Sequence, residues 1–112
     1  SVLAARIIKY RNLLGGFAHK EQLKEVYGLK PEVYEIIKDR VNADSTGIKG
    51  IDINSADYKQ LIRFPYFDKN EVNAILKYRE LEGRIDKVSD LFENKLVAGE
   101  KMKKVSVYLK VR

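Results

Sequence analysis

Apolar side chains recur at helical spacing along most of the chain, and the breaks between them fall on glycine, proline and clusters of small polar residues. Leu3, Ile7, Tyr10 and Leu14 share one face of a helix predicted over residues 2 to 14, and Gly15 stands where a C-terminal cap belongs. Leu23 and Val26 predict a short helix over 19 to 26. Tyr27-Gly28-Leu29-Lys30 interrupts it as a tight hairpin, and Pro31 suits the first position of the next helix, which Val33, Ile36, Ile37 and Val41 continue. Residues 42 to 50 gather Asn, Asp, Ser, Thr and Gly without any period, as a linker does.

Beyond the linker, Asn54 is expected to cap a helix over 55 to 64 that carries Ala56, Leu61 and Ile62 and ends at Pro65. Phe64-Pro65-Tyr66-Phe67 reads as a second hairpin. Asp68 and Glu71 form a capping box for a longer helix with Val72, Ile75, Leu76 and Leu81 on its apolar face, and Gly83 closes it. Ser89 is expected to cap a short helix bearing Leu91 and Phe92. Lys95-Leu96-Val97-Ala98-Gly99 then turns the chain into a last helix with Met102, Val105 and Leu109. The alternation of Val105, Val107, Leu109 and Val111 also fits a strand, but a helix to about Leu109 with a frayed basic tail keeps this end in line with the first half.

That comparison rests on an internal repeat. Ile7-Ile8-Lys9-Tyr10-Arg11 and Ile75-Leu76-Lys77-Tyr78-Arg79 lie 68 positions apart, and at the same offset Leu23 falls on Leu91, Leu29 on Val97, Ile37 on Val105 and Val41 on Leu109. The expected organisation is a first copy over 1 to 41, a linker over 42 to 50 and a second copy over 51 to 112. Ser1 matches Lys69, so the first copy lacks the helix and hairpin that precede the second, and the chain reads as a piece cut from a longer protein.

Composition narrows the function classes. With 112 residues, 45% of them apolar and 34% charged, the chain suits one compact domain or two very small ones. It has no Cys, so neither disulfides nor thiolate metal sites are open to it, and the single His19, a solvated loop residue by its setting, makes no metal site alone. No apolar run approaches the roughly 18 residues that span a bilayer, so a soluble piece without membrane contact is expected. Net charge is +6, from 22 Lys and Arg against 16 Asp and Glu. The excess gathers at the C-terminal end in Lys95, Lys101, Lys103, Lys104, Lys110 and Arg112, which is either a phosphate-facing patch or a solvated helix end answering its dipole.

Ile53-Asn54-Ser55-Ala56-Asp57, then Leu61, Phe64-Pro65, Ala74 to Arg79, Gly83, Val88, Asp90 and Leu91 follow the order of the helix-hairpin-helix family, and the stretch resembles the tandem form in competence DNA-uptake proteins of the ComEA type. The resemblance is close over 51 to 109 and partial over 2 to 41. It implies an all-α fold of tandem helix-hairpin-helix repeats, a SAM-domain-like or RuvA-domain-2-like small helical bundle. It also implies non-sequence-specific binding of duplex DNA, in uptake or repair, with no cofactor and with a parent protein that works outside the cytoplasm.

Such binding needs a hairpin whose glycines let backbone N–H groups approach a phosphate, with Lys and Arg nearby. This chain departs from that pattern. Tyr66 and Asp68 occupy both glycine positions of the central hairpin, where a ring screens the backbone and a carboxylate takes the N–H groups. The first hairpin keeps Gly28 beside Leu29 and Lys30; the last has Leu96 and Ala98 around Val97, with Gly99 adjacent. The candidate DNA-binding residues are therefore Gly28, Leu29, Lys30, Lys95, Val97, Ala98, Gly99, Lys101 and Lys104. If Tyr66 and Asp68 lie on the same face as the basic helix end, DNA binding is disfavoured; if they lie opposite, DNA binding and a partner contact can coexist.

Other features stay open between two roles. Lys9-Tyr10-Arg11 and Lys77-Tyr78-Arg79 are either a basic, aromatic strip for nucleic acid or helix-end cations beside a core-capping Tyr. Tyr66 either meets a protein partner together with Phe67 or folds back over Phe64 and Phe67. No nucleophile, nucleotide loop, metal signature or spaced carboxylate pair is present, so no enzymatic activity is expected. The competing expectation is a protein-interaction or structural module that keeps the fold without phosphate binding.

Overall fold

The computed structural model describes residues 1–112. It divides into two compact units, Ser1–Lys49 and Gly50–Arg112. Both are helical, as the periodicity predicted, in the tandem helix-hairpin-helix arrangement of a small all-α bundle.

In the first unit, α1 spans Val2–Leu14. The Ser1 hydroxyl accepts the Ala4 N–H at 3.1 Å, and at the other end Gly15 adopts φ 92° while its N–H and that of Gly16 both donate to the Arg11 carbonyl at 2.9 Å. Residues Lys20–Glu25 form a 3-10 segment rather than an α-helix. The reason lies in the spacing: Leu23 and Val26 are three apart, the 3-10 period, and both are buried. The buried Gln22 fixes the start of that turn, its side-chain oxygen accepting the Ala18 and His19 N–H groups at 2.7 and 3.0 Å. Pro31 then opens α2, Pro31–Ile37, whose inward residue is Tyr34, and a 3-10 turn at Lys38–Arg40 ends it.

Of the linker expected over 42 to 50, residues 42 to 49 pack onto this first unit. Asp44 N–H donates to the Phe17 carbonyl at 3.0 Å and Lys49 N–H to the Gly15 carbonyl at 3.3 Å, while the Asp44 carboxylate caps a 3-10 turn at Ser45–Gly47. That strap crowds Gly15. A Cβ there would sit 3.0 Å from the Lys49 backbone oxygen, at a φ that L residues avoid. Gly15→Ala is expected to cost about 1–2 kcal/mol, read as a lower urea midpoint with an unchanged slope.

In the second unit, Asn54 does not cap a helix. Its amide instead clamps the chain after Gly83: Oδ1 accepts the Ile85 N–H at 2.7 Å and Nδ2 donates to the Ile85 carbonyl at 2.9 Å. The next helix, α3, is Tyr58–Arg63, and Asp57 caps it in a reciprocal box with Gln60. α4, Lys69–Glu82, starts with the predicted Asp68–Glu71 box and stops at Gly83, φ 86°, whose N–H donates to the Arg79 carbonyl at 2.9 Å. The two glycine caps thus repeat in register. α5 is Asp90–Glu93; Ser89 precedes it but its side chain makes no cap bond.

The C-terminal end differs from expectation. α6, Met102–Ser106, stops three residues before Leu109, and Leu109–Lys110 becomes strand β2, paired in parallel with β1, Ile51–Asp52. Ile51 N–H donates to the Tyr108 carbonyl at 2.8 Å and Ile53 N–H to that of Lys110 at 3.1 Å. Tyr108, in the turn before the strand, and Leu109, in the strand, are both buried. At the same bend, the Asn54 N–H, and after it the Ser55 hydroxyl, hold the Asp52 carboxyl below its ordinary range.

A candidate nucleic-acid interface and its closed counterpart

The two hairpins that follow the short helical segments occupy equivalent places in the repeat but have different backbones. In the first, Gly28 adopts φ 84° and turns the chain toward α2, with Lys30 as the extended residue before Pro31. The Leu29 N–H donates to the Val26 carbonyl at 3.2 Å, and the Leu29 side chain is half-buried. The N–H groups of Gly28 and Lys30 have no intramolecular acceptor, and both residues are exposed.

In the last hairpin the left-handed residue is Lys95, φ 57°, and every N–H from Lys95 to Ala98 is bonded within the chain. Lys95 donates to the Phe92 carbonyl at 3.1 Å; Leu96 and Val97 both donate to that of Leu91, at 2.8 and 3.1 Å. Ala98 donates to the Glu71 carboxylate at 3.0 Å. Val97 is 1% exposed, a core residue. Gly99 and Ala98 are exposed; Glu71 already takes the Ala98 N–H, while that of Gly99 has no acceptor within the protein.

Glu71 organises that whole corner. One oxygen accepts the Asp68 N–H at 3.0 Å and the Lys101 ammonium at 2.7 Å, the other accepts the Ala98 N–H, and the residue is 7% exposed. Lys101 also donates to the Tyr66 carbonyl at 3.1 Å. Its ammonium is therefore turned inward, with both contacts inside the protein. Lys104 lies with Nζ 4.4 Å from the centre of the Tyr66 ring. The central hairpin and the basic helix start thus do share a face, the arrangement that disfavours phosphate there.

Tyr66 itself folds back. It is 6% exposed, edge-on to Phe64 at 5.5 Å, and Phe67 meets the same Phe64 ring at 5.0 Å. The expectation that Tyr66 and Phe67 offer a surface to a protein partner is corrected by this burial, which places both rings in the core.

Each Lys-Tyr-Arg helix supplies one internal brace, while Lys9, Arg11 and Lys77 stay exposed. The Tyr10 hydroxyl donates to the Glu25 carboxylate at 2.7 Å, and the Arg79 guanidinium donates to the Ala56 carbonyl. Burial, then the charges of Asp90, Glu82 and Asp86, push the Tyr78 hydroxyl above its ordinary range. His19 is exposed at the start of the 3-10 segment.

Sequence reasoning placed Tyr27 in the first hairpin but gave no role to its side chain, and it missed Arg6 and Lys24 beside it. Tyr27 stands at its tip, Arg6 of α1 lies over the Tyr27 ring with its guanidinium carbon 4.9 Å from the ring centre, and Lys24 is exposed on the preceding turn with Nζ 4.7 Å over the Tyr34 ring. The signal was present in the repeat. Arg6 and Tyr27 fall on Ala74 and Lys95 of the second copy, so this pair belongs to the first copy alone. Glu32 and Glu35 lie just beyond Lys30; Glu35 is paired to Lys38 at 2.6 Å.

No helix is long and apolar enough to cross a membrane, and no group of three or more His, Cys, Asp or Glu side chains is placed to hold a metal ion. Comparison with curated proteins and with solved structures returned no match. The model of the helix-hairpin-helix motif matches residues 1–42 and again residues 46–109, so both copies are covered. Motifs of this kind are generally associated with non-sequence-specific DNA binding. With two matches spanning nearly its whole length, the chain belongs to the helix-hairpin-helix family.

Proposed function

We propose that this chain binds the DNA backbone without sequence preference, and that the first hairpin, residues 27 to 30, is its principal contact. One observation carries the proposal: the exposed N–H groups of Gly28 and Lys30 have no acceptor within the protein. An exposed N–H beside a glycine, with Lys24, Lys30 and Arg6 around it, is suited to a phosphate oxygen. The remaining surface cations, Lys95, Lys103 and Lys104 among them, add attraction that needs no fixed geometry. Uptake or repair of DNA is the setting such a module serves, and the ComEA-type likeness of residues 51 to 109 supports uptake. The role is binding only, and turnover of DNA by this chain would contradict it.

The second unit supports another reading for itself. The N–H groups of its last hairpin from Lys95 to Ala98 are bonded internally and only that of Gly99 is left open, which favours a structural or protein-contacting half.

Fluorescence anisotropy at low salt tests the proposal. Labelled duplexes of unrelated sequence should bind weakly and alike, with log K falling against log salt by about 0.9 per phosphate contacted. Lys24→Glu combined with Lys30→Glu should weaken binding to every duplex and flatten the slope by about 1 per charge removed. Titrations that stay flat at low salt would sink it.

A further inference from the structure

We propose that Tyr27 and Arg6 form a stacking site for an unpaired nucleobase, so that the first hairpin recognises interrupted DNA in preference to intact duplex. The inference rests on the backbone-binding role just described and names the form of DNA that the same site selects.

Tyr27 is 81% exposed, more than any other large apolar side chain in the protein. An exposed aromatic alone is ordinary. This one is held in place. The Arg6 guanidinium stacks over one ring face at 4.9 Å and donates to the Tyr27 carbonyl at 3.4 Å, so ring and backbone are gripped by one side chain from α1. Gly28 makes the grip possible: a Cβ there would lie 2.6 Å from Arg6 Nη1. With one face covered by a cation and most of the ring in solvent, the other face is open to a second π system.

Charge decides which π system fits. Arg6 touches the tip, and the exposed Lys24 and Lys30 flank it three positions either way along the chain. Glu25 is bonded to Tyr10 and Glu35 to Lys38, and a nucleobase arrives with phosphates on both sides. An apolar protein surface docking here would desolvate the guanidinium, whose one acceptor is a backbone carbonyl, and provide nothing in return. Bases inside a continuous duplex have both faces stacked and none free for Tyr27. A bulged base, a gap or a frayed end offers one. The second copy has Ala74 and Lys95 at these positions and lacks the site.

The test uses the full chain and two labelled duplexes of identical sequence, one intact and one with a single unpaired adenine bulge. Wild type should bind the bulged duplex roughly tenfold more tightly, the size of one base stacked on an aromatic ring. Tyr27→Ala should bring the ratio of bulged-duplex to intact-duplex affinity to about one, Tyr27→Phe should keep the wild-type ratio, and Arg6→Gln should reduce it. Because the Tyr27 side chain lies outside the core, an unchanged thermal melt of Tyr27→Ala is the control for folding. Equal affinity of wild type for both probes, or a preference that survives Tyr27→Ala, overturns the stacking site while the backbone role stands; a protein-contact role for the tip gives that same insensitivity. Flat titrations of both probes end the backbone role, and the stacking site with it.

Discussion

Lys101→Met is expected to destabilise the second unit by about 3 kcal/mol, because it strands the buried Glu71 carboxylate without its cation. The pair is 2.7 Å apart, and the Lys101 side chain is only 24% exposed, so water replaces little of what is lost. Pairing the change with Glu71→Leu should recover most of it. At the repeat offset, Glu71 and Lys101 fall on Leu3 and Val33, so apolar residues already serve at both places in the first copy. The double variant Glu71→Leu with Lys101→Val copies that solution and leaves the N–H groups of the exposed Asp68 and Ala98 and the Tyr66 carbonyl to find water in place of the partners removed. Urea unfolding followed by circular dichroism checks both variants. A double variant as unstable as the single one would show that the ion pair is not what holds this corner.

Phe64→Ala is expected to cost about 4 kcal/mol, at the upper end for a buried large-to-small change. Phe64 is 1% exposed and meets Tyr66 at 5.5 Å, Phe67 at 5.0 Å and Tyr108 at 5.5 Å. Removing it opens a cavity between the central hairpin and the strand end, and three rings lose their common neighbour. Phe64→Leu refills most of the volume and should cost under about 1.5 kcal/mol. The near-ultraviolet signal of Tyr66 and Tyr108 should fall in the Ala variant before global unfolding. A loss below about 1 kcal/mol in that variant would mean that the ring cluster is not packed as described.

The helices and their stops were legible wherever a local signal sets them. Gly15, Gly83, Pro31 and the Asp68–Glu71 box act within one turn of their own backbone, so sequence alone places them. Asn54 was misread because its amide bonds to Ile85, 31 positions away, and local spacing cannot announce such a partner. The end of α6 was misread for a similar reason: helix and strand both satisfy the apolar positions from Val105 to Val111, and pairing with Ile51–Asp52 decides between them.

The candidate site was legible in outline and not in its division between copies. Gly28 and Lys30 were visible as the better-kept hairpin. Lys101 looked like a phosphate ligand because its charge shows in the sequence, whereas the carboxylate that captures it lies 30 positions earlier. The side chains of Tyr27 and Arg6 went unnoticed for the same reason in reverse: neither stands out until a stacking distance joins them.

If the chain binds DNA as proposed, the Glu71 carboxylate also bears on its valency. Two hairpins with open N–H rows, tethered in one polypeptide, gain avidity because the second contact is made at high effective concentration. Here the Ala98 N–H is taken by the protein's own anion, so under the proposed DNA-binding role the tandem arrangement would offer one principal foothold on a polyanion. Stringing further copies together multiplies that foothold only when the added copies resemble the first.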